Sequence, residues 1–112
     1  MPFLANTIVW AKITGLPWWP ARFVDWGELP GDTQEALRGK QQAIGLEGGP
    51  VVFFPCKKPS FDYITKDKLV SYEQGKALGY PSQKGKGAGI SFRDACTEAD
   101  IEHTKPEWMR SV

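Results

Sequence analysis

Apolar and polar positions run in short, roughly alternating stretches through the first two thirds of the chain and change to a helical period near its end. "TIVWAKI" (7–13) is β-branched and aromatic, which predicts a strand. Gly15 and Pro17 interrupt it, and "WPARFVDW" (19–26) resumes as a second strand, so the two are joined by a sharp arch. Three more short strands are expected at "PVVFF" (50–54), "SFDYI" (60–64) and "KLVSY" (68–72), separated by "PCKKP" and a turn near Asp67. Between Gly27 and Gly49 the chain is polar and glycine-rich. There "DTQEALRGK" predicts about two helical turns, capped by Asp32 or Thr33 and stopped by Gly39, within a long insertion between strands.

After the fifth strand the period lengthens. "SYEQGKALG" predicts a short helix ending at Gly79, "YPSQKGKGAG" a loop, and "SFRDACTEADIEH" a second helix opened by Ser91 and Asp94 as a capping-box-like pair. Phe92, Ala95, Cys96 and Ala99 recur on one face of that helix, which should lie against the strands. Five short strands joined by tight turns imply a small, strongly bent antiparallel barrel. The fold class is therefore mainly β with a C-terminal α part. Trp10, Phe23, Phe54 and Phe61 are assigned to the core. Adjacent residues on an extended segment point to opposite faces, so Trp18 and Trp19 are expected to divide their roles: Trp18 a partly exposed support, Trp19 on the other face.

The composition is that of a globular domain: 112 residues, 41% hydrophobic, enough for a core without disulfides or metals. Cys56 and Cys96 lie far apart with no ligand-spaced partner, and His103 is the one histidine, so reduced thiols and no metal site are expected. No stretch has the roughly 18 apolar residues of a membrane span, and "FLANTIVWA" lacks the features of a signal peptide. A cytosolic or nuclear location is the expectation. Net charge is +1, but residues 1–92 carry eleven basic residues against eight acids, which leaves room for a local basic patch. Catalysis has no constellation to rest on: His103 lies among acids, "GKGAG" lacks the GK[ST] ending of a P-loop, and no G-x-S-x-G occurs. Neither enzyme nor cofactor is expected.

"IVWAKITGLPWWPA" (8–21), followed about thirty residues later by "GPVVFF" and then Phe61, resembles the PWWP domain of the methyl-lysine-reading, Tudor-like barrel superfamily. The resemblance includes the apolar-aromatic-Ala-Lys strand before the tetrapeptide, the glycine two residues ahead of its proline, and the alanine after it. It implies one PWWP-like domain over 1–112, with an SH3-like five-stranded barrel at about 7–72 and helices at about 73–112. It also implies a nuclear chromatin module, a fragment of a larger chromatin or transcription protein. Such a module binds a methylated histone lysine, most often on H3, and holds double-stranded DNA through an adjacent basic surface without sequence preference. A methylated ammonium keeps its charge while losing donors, so aromatic faces recognise it, each contributing about 0.5–2 kcal/mol.

Carried over by position, the cage falls on Leu16, Trp19 and Phe53, with Ile13 at its border. Leu16 departs from the family's usual aromatic there, and no acid stands just after the third strand, where Cys56, Lys57 and Lys58 are found. The DNA-facing positions map to Lys12, Lys84 and Lys86, with Lys57 and Lys58 as a second pair and Lys66 and Lys68 close behind; Gly85 and Gly87 let that loop approach a backbone closely. Two other readings stay open at this level. One is a mainly DNA-binding module with a vestigial cage; the other is an SH3-like barrel that binds peptides through an aromatic groove.

Overall fold

The computed structural model describes residues 3–55, 60–85 and 87–106. Five strands form one antiparallel sheet: β1 (Ile8–Ala11), β2 (Trp19–Phe23), β3 (Gly48–Phe53), β4 (Phe61–Thr65) and β5 (Leu69–Ser71). Their order in space is β4-β3-β2-β1-β5, so β5 returns to the free edge of β1 and the sheet curls into a half-barrel. Helices α1 (Gly31–Ile44), α2 (Tyr72–Ala77) and α3 (Ile90–His103) complete the chain.

Every residue of β1 is buried, which is why its alternation is only rough: both faces of the strand are covered. Ile8 and Trp10 join Phe54, Tyr72 and the α3 face Phe92, Ala95, Cys96 and Ala99 in one cluster. Val9 and Ala11 turn the other way, into the curl, beside Ala21, Phe23, Val51, Ile64 and Leu69. A third cluster, Val24, Leu29, Leu37, Val52 and Tyr63, lies beneath α1. The expected faces of Trp10, Phe23 and Phe54 are thus observed, and the α3 face packs as its period predicts.

The insertion is where expectation and structure differ most. Helix α1 has 14 residues, runs through Gly39, and begins after Pro30 with no side-chain cap, so neither Asp32 nor Thr33 caps it. A glycine inside a helix costs about 1 kcal/mol relative to alanine, and tertiary packing outweighs it here. Leu37 is buried in the third cluster, and Tyr63 Oη donates to the Gly45 carbonyl at 2.7 Å just past the helix end. Strand β2 also stops earlier than expected, at Phe23, because Asp25 accepts a bond from Gly27 N and opens a 3-10 turn at Trp26–Glu28. Trp26 then lies against Tyr63, with ring centroids 6.1 Å apart, and carries the Arg38 guanidinium 3.9 Å over its ring. The insertion therefore covers the outer face of the β3–β4 hairpin.

The C-terminal helices are held by polar as well as apolar contacts. Ser71 caps α2 by accepting from Gln74 N at 3.3 Å, and Gly79, at φ 83°, ends that turn in the left-handed region. α3 starts at Ile90 after Gly89 with no side-chain cap; Ser91 lies inside the helix rather than at its cap position, so the expected capping pair does not form. Trp10 stacks on Tyr72 at 5.4 Å and donates its Nε1 to the Tyr72 carbonyl at 3.1 Å. Arg22, buried on β2, donates to Asn6 and to Glu28, the latter at 3.2 Å, and ties the N-terminal segment to the insertion. Burial weighs most on the Cys96 thiol and, with Asp100 nearby, pushes it up to about 11. In a Cys56→Ser chain, Cys96 is expected to react with a thiol reagent at pH 8 on the order of 10²-fold more slowly in the folded than in the denatured state. A spectrophotometric thiol assay with and without denaturant measures this; equal rates would contradict the buried placement.

Candidate functional site

The site begins with the arch between β1 and β2. Leu16 N donates to the Ile13 carbonyl at 3.0 Å, closing a turn whose third residue, Gly15, sits at φ 85°, a conformation that side-chain-bearing residues rarely adopt. Lys12 donates its Nζ to the Leu16 carbonyl and approaches the Ile13 carbonyl at 3.4 Å. The half-buried Lys12 ammonium is thus turned onto the arch.

The two tryptophans sit at the foot of this arch. Trp18 precedes β2, so strand alternation does not govern it. It stacks on Tyr80 at 5.0 Å, and Gln83 bonds both its backbone N and its carbonyl, at 2.9 Å each. Trp19 opens β2 opposite Ala11, packs edge-on to Phe92 of α3 at 5.3 Å, and donates Nε1 to the Phe54 carbonyl at 2.6 Å. Both touch the cluster beneath α3, at separate points. Gly87 closes the arch from the other side: a Cβ there would meet Pro17 Cδ at 2.9 Å and Leu16 Cδ2 at 3.1 Å. The close approach made by Gly87 is to the arch.

Together these elements enclose an open pocket of about 700 Å³. Ile13, Leu16, Trp19 and Phe53 all line it, so the four positions singled out for a cage are brought together. Two more side chains enter from β4. Phe61, expected in the core, is half-buried; it packs against the cluster beneath α1 and also lines the pocket. Asp62 is the second. Val51 pairs with Asp62 and shares its face of β3 with Phe53, so the β3–β4 register puts the carboxylate on the same face as the Phe53 ring. The sequence just after the third strand shows no acid, yet the hairpin supplies one from nine residues farther along.

A second cleft of similar size, about 710 Å³, lies between Ile44–Glu47 and Thr65–Lys68, but no aromatic ring lines it. Lys66 and Lys68 are exposed there beside Asp67, whose carboxyl is held below its usual range by the hydrogen bond from Thr65. Lys84 is exposed on the loop before α3. Lys57, Lys58 and Lys86, together with Cys56, lie outside the described residues. Among the described residues no group of His, Cys, Asp and Glu is placed to hold a metal, and no helix is long and apolar enough to cross a membrane.

An aromatic pocket built from a Pro-Trp-Trp-Pro arch and the end of the third strand is the arrangement the sequence resemblance implies, and the chain matches the family model of the PWWP domain over residues 6–104. The chain belongs to the PWWP family. Among solved structures, a PWWP domain from Schizosaccharomyces pombe is 22% identical, with a TM-score of 0.65 over 98% of this chain and 94% of that one. The second PWWP domain of the WHSC1L1 protein is 21% identical, with a TM-score of 0.60 over 90% of this chain and 83% of that one. At these identities the likeness establishes the fold: a curled five-stranded sheet followed by helices. PWWP domains are binding modules, generally associated with nuclear chromatin, and this PWWP domain shares their architecture.

Proposed function

We propose that this PWWP domain is a nuclear chromatin reader that takes a methylated histone lysine, on H3 by family resemblance, into the pocket formed by Leu16, Trp19, Phe53 and Phe61, with Ile13 at its border. The observation that carries the reading is the convergence of three half-buried rings, Trp19, Phe53 and Phe61, on one open cavity. Soluble domains usually bury such rings, and a cluster left open to solvent fits a ligand that needs apolar faces and a negative quadrupole at once. Phe61 supplies the ring that Leu16 lacks, which favours a working cage over a vestigial one.

Double-stranded DNA is the second partner in this reading, bound without sequence preference by Lys84 and Lys86, with Lys57 and Lys58 as a second basic pair in the sequence. Lys12 contributes by holding the arch. Phosphate contacts alone give dissociation constants of about 10⁻⁴–10⁻⁶ M, and tethering to a methyl-lysine on one nucleosome multiplies the weak contacts.

The test is an NMR titration of the domain with H3 peptides that differ only in lysine methylation, run beside a short duplex at two salt concentrations. A methylated peptide is expected to shift the Trp19 indole and Phe53 amide resonances at concentrations where the unmodified peptide does not. Duplex affinity should fall steeply with salt. Equal binding of modified and unmodified peptides would instead support an SH3-like peptide groove.

A further inference from the structure

The Asp62 carboxylate sits where a recognition pocket for a fixed cation has no need of a hydrogen-bond acceptor. Its Oδ1 is taken: it accepts from Tyr63 N at 2.8 Å and from Lys40 Nζ of α1. Lys40 is brought there by the packing of α1 on the β3–β4 hairpin and by the Tyr63 Oη bond to the Gly45 carbonyl. Among the described residues Oδ2 has no hydrogen-bond partner. The side chain is 28% exposed and shared between the aromatic pocket and a smaller cavity of about 240 Å³ that Lys12 and Lys40 also line. Oδ1 is therefore held by the scaffold, while Oδ2 is unoccupied among the described residues on a side chain that lines the pocket.

We infer that Asp62 is a specificity-determining residue that selects the methylation state, favouring mono- and dimethyl-lysine over trimethyl-lysine through a hydrogen bond to Oδ2. This rests on the reading of the pocket as a methyl-lysine site. Monomethyl- and dimethylammonium keep two and one N–H donors, whereas trimethylammonium keeps none. A charge-assisted bond to a carboxylate is among the strongest a protein makes, and its loss leaves a desolvated acceptor against a methyl group. Unmodified lysine has three donors and strong hydration, and the rings around it satisfy none of them, so it binds weakest. Lys40 occupies Oδ1, so Oδ2 is the oxygen left to accept from a ligand.

The experiment uses Nα-acetyl-lysine amide carrying zero, one, two or three methyl groups, which removes any dependence on peptide sequence. Each is titrated by NMR into the wild-type domain and into Asp62→Asn, with the Trp19 indole N–H as the reporter. The substitution preserves size and the Oδ1 contacts and puts an NH₂ donor where Oδ2 was. The wild type is expected to bind the dimethyl form about tenfold more tightly than the trimethyl form. Asp62→Asn should erase or reverse that ratio while still binding the trimethyl form. A wild-type preference for trimethyl-lysine, or a ratio unchanged in Asp62→Asn, would overturn this inference and leave the reader assignment standing. Failure of all three methylated forms to bind would remove both.

Discussion

Trp19→Ala is expected to abolish methyl-lysine binding and, as a separate effect, to lower stability by about 2–3 kcal/mol. The indole is the largest ring on the pocket, so its loss removes both a cation–π face and the packing that excludes water. The same side chain packs on Phe92 and bonds the Phe54 carbonyl, so it also ties β2 to α3 and to the end of β3. A single substitution thus mixes two effects, and Phe53→Leu separates them. Phe53 is half-buried at the end of β3, and leucine keeps its apolar bulk while removing the ring. That variant should bind methyl-lysine about tenfold more weakly with stability changed by less than about 1 kcal/mol. Denaturant unfolding beside NMR titration of both variants measures the two effects. Wild-type affinity in Phe53→Leu would mean that the ring contributes only volume.

Gly75→Ala is expected to destabilise the domain, against the direction that helix propensity alone predicts. In an exposed helix the change stabilises by about 1 kcal/mol. Gly75 lies in α2 against the Trp10 indole, and an added Cβ would stand 2.1 Å from Trp10 Cδ1. Trp10 has no room to retreat: it is fully buried, stacked on Tyr72, edge-on to Tyr80 at 5.7 Å, and anchored through Nε1. Overpacking a core in this way costs about 1–3 kcal/mol and often more where the neighbour is pinned, so the net change should be a loss of about 2 kcal/mol. Thermal and denaturant unfolding of the variant decide the sign. A stabilised variant would mean that α2 sits farther from Trp10 than described.

What could be read from the sequence, and what could not, divides along the range of the interactions. The strands around the Pro-Trp-Trp-Pro arch were legible because apolar runs, Gly15 and Pro17 are local signals. The buried face of α3 was legible because Phe92, Ala95, Cys96 and Ala99 keep a helical period. Trp19, Phe53, Leu16 and Ile13 were reachable through the family pattern, and the structure brings all four to one pocket. Phe61 and Asp62 were out of reach for a physical reason: their approach to Phe53 depends on the β3–β4 register, and nothing in "PCKKPSFDY" specifies it. Gly39 is a genuine local stop signal, so the sequence predicts a helix shorter than α1. It is overruled by the contacts of Leu37 with Val52 and Tyr63, residues that follow it in the chain.

The β3–β4 hairpin carries Phe53 and Asp62 on one face, while Val52 and Tyr63 of the alternate positions anchor α1. On the proposed reading, recognition falls mainly on one face of this ribbon and support on the other, with Phe61, paired with Val52, serving both. Over evolutionary time the ligand preference of such a module can drift at positions 53 and 62 while 52 and 63 hold the scaffold. Related chains that read different marks would then differ along this hairpin in a pattern of every second residue.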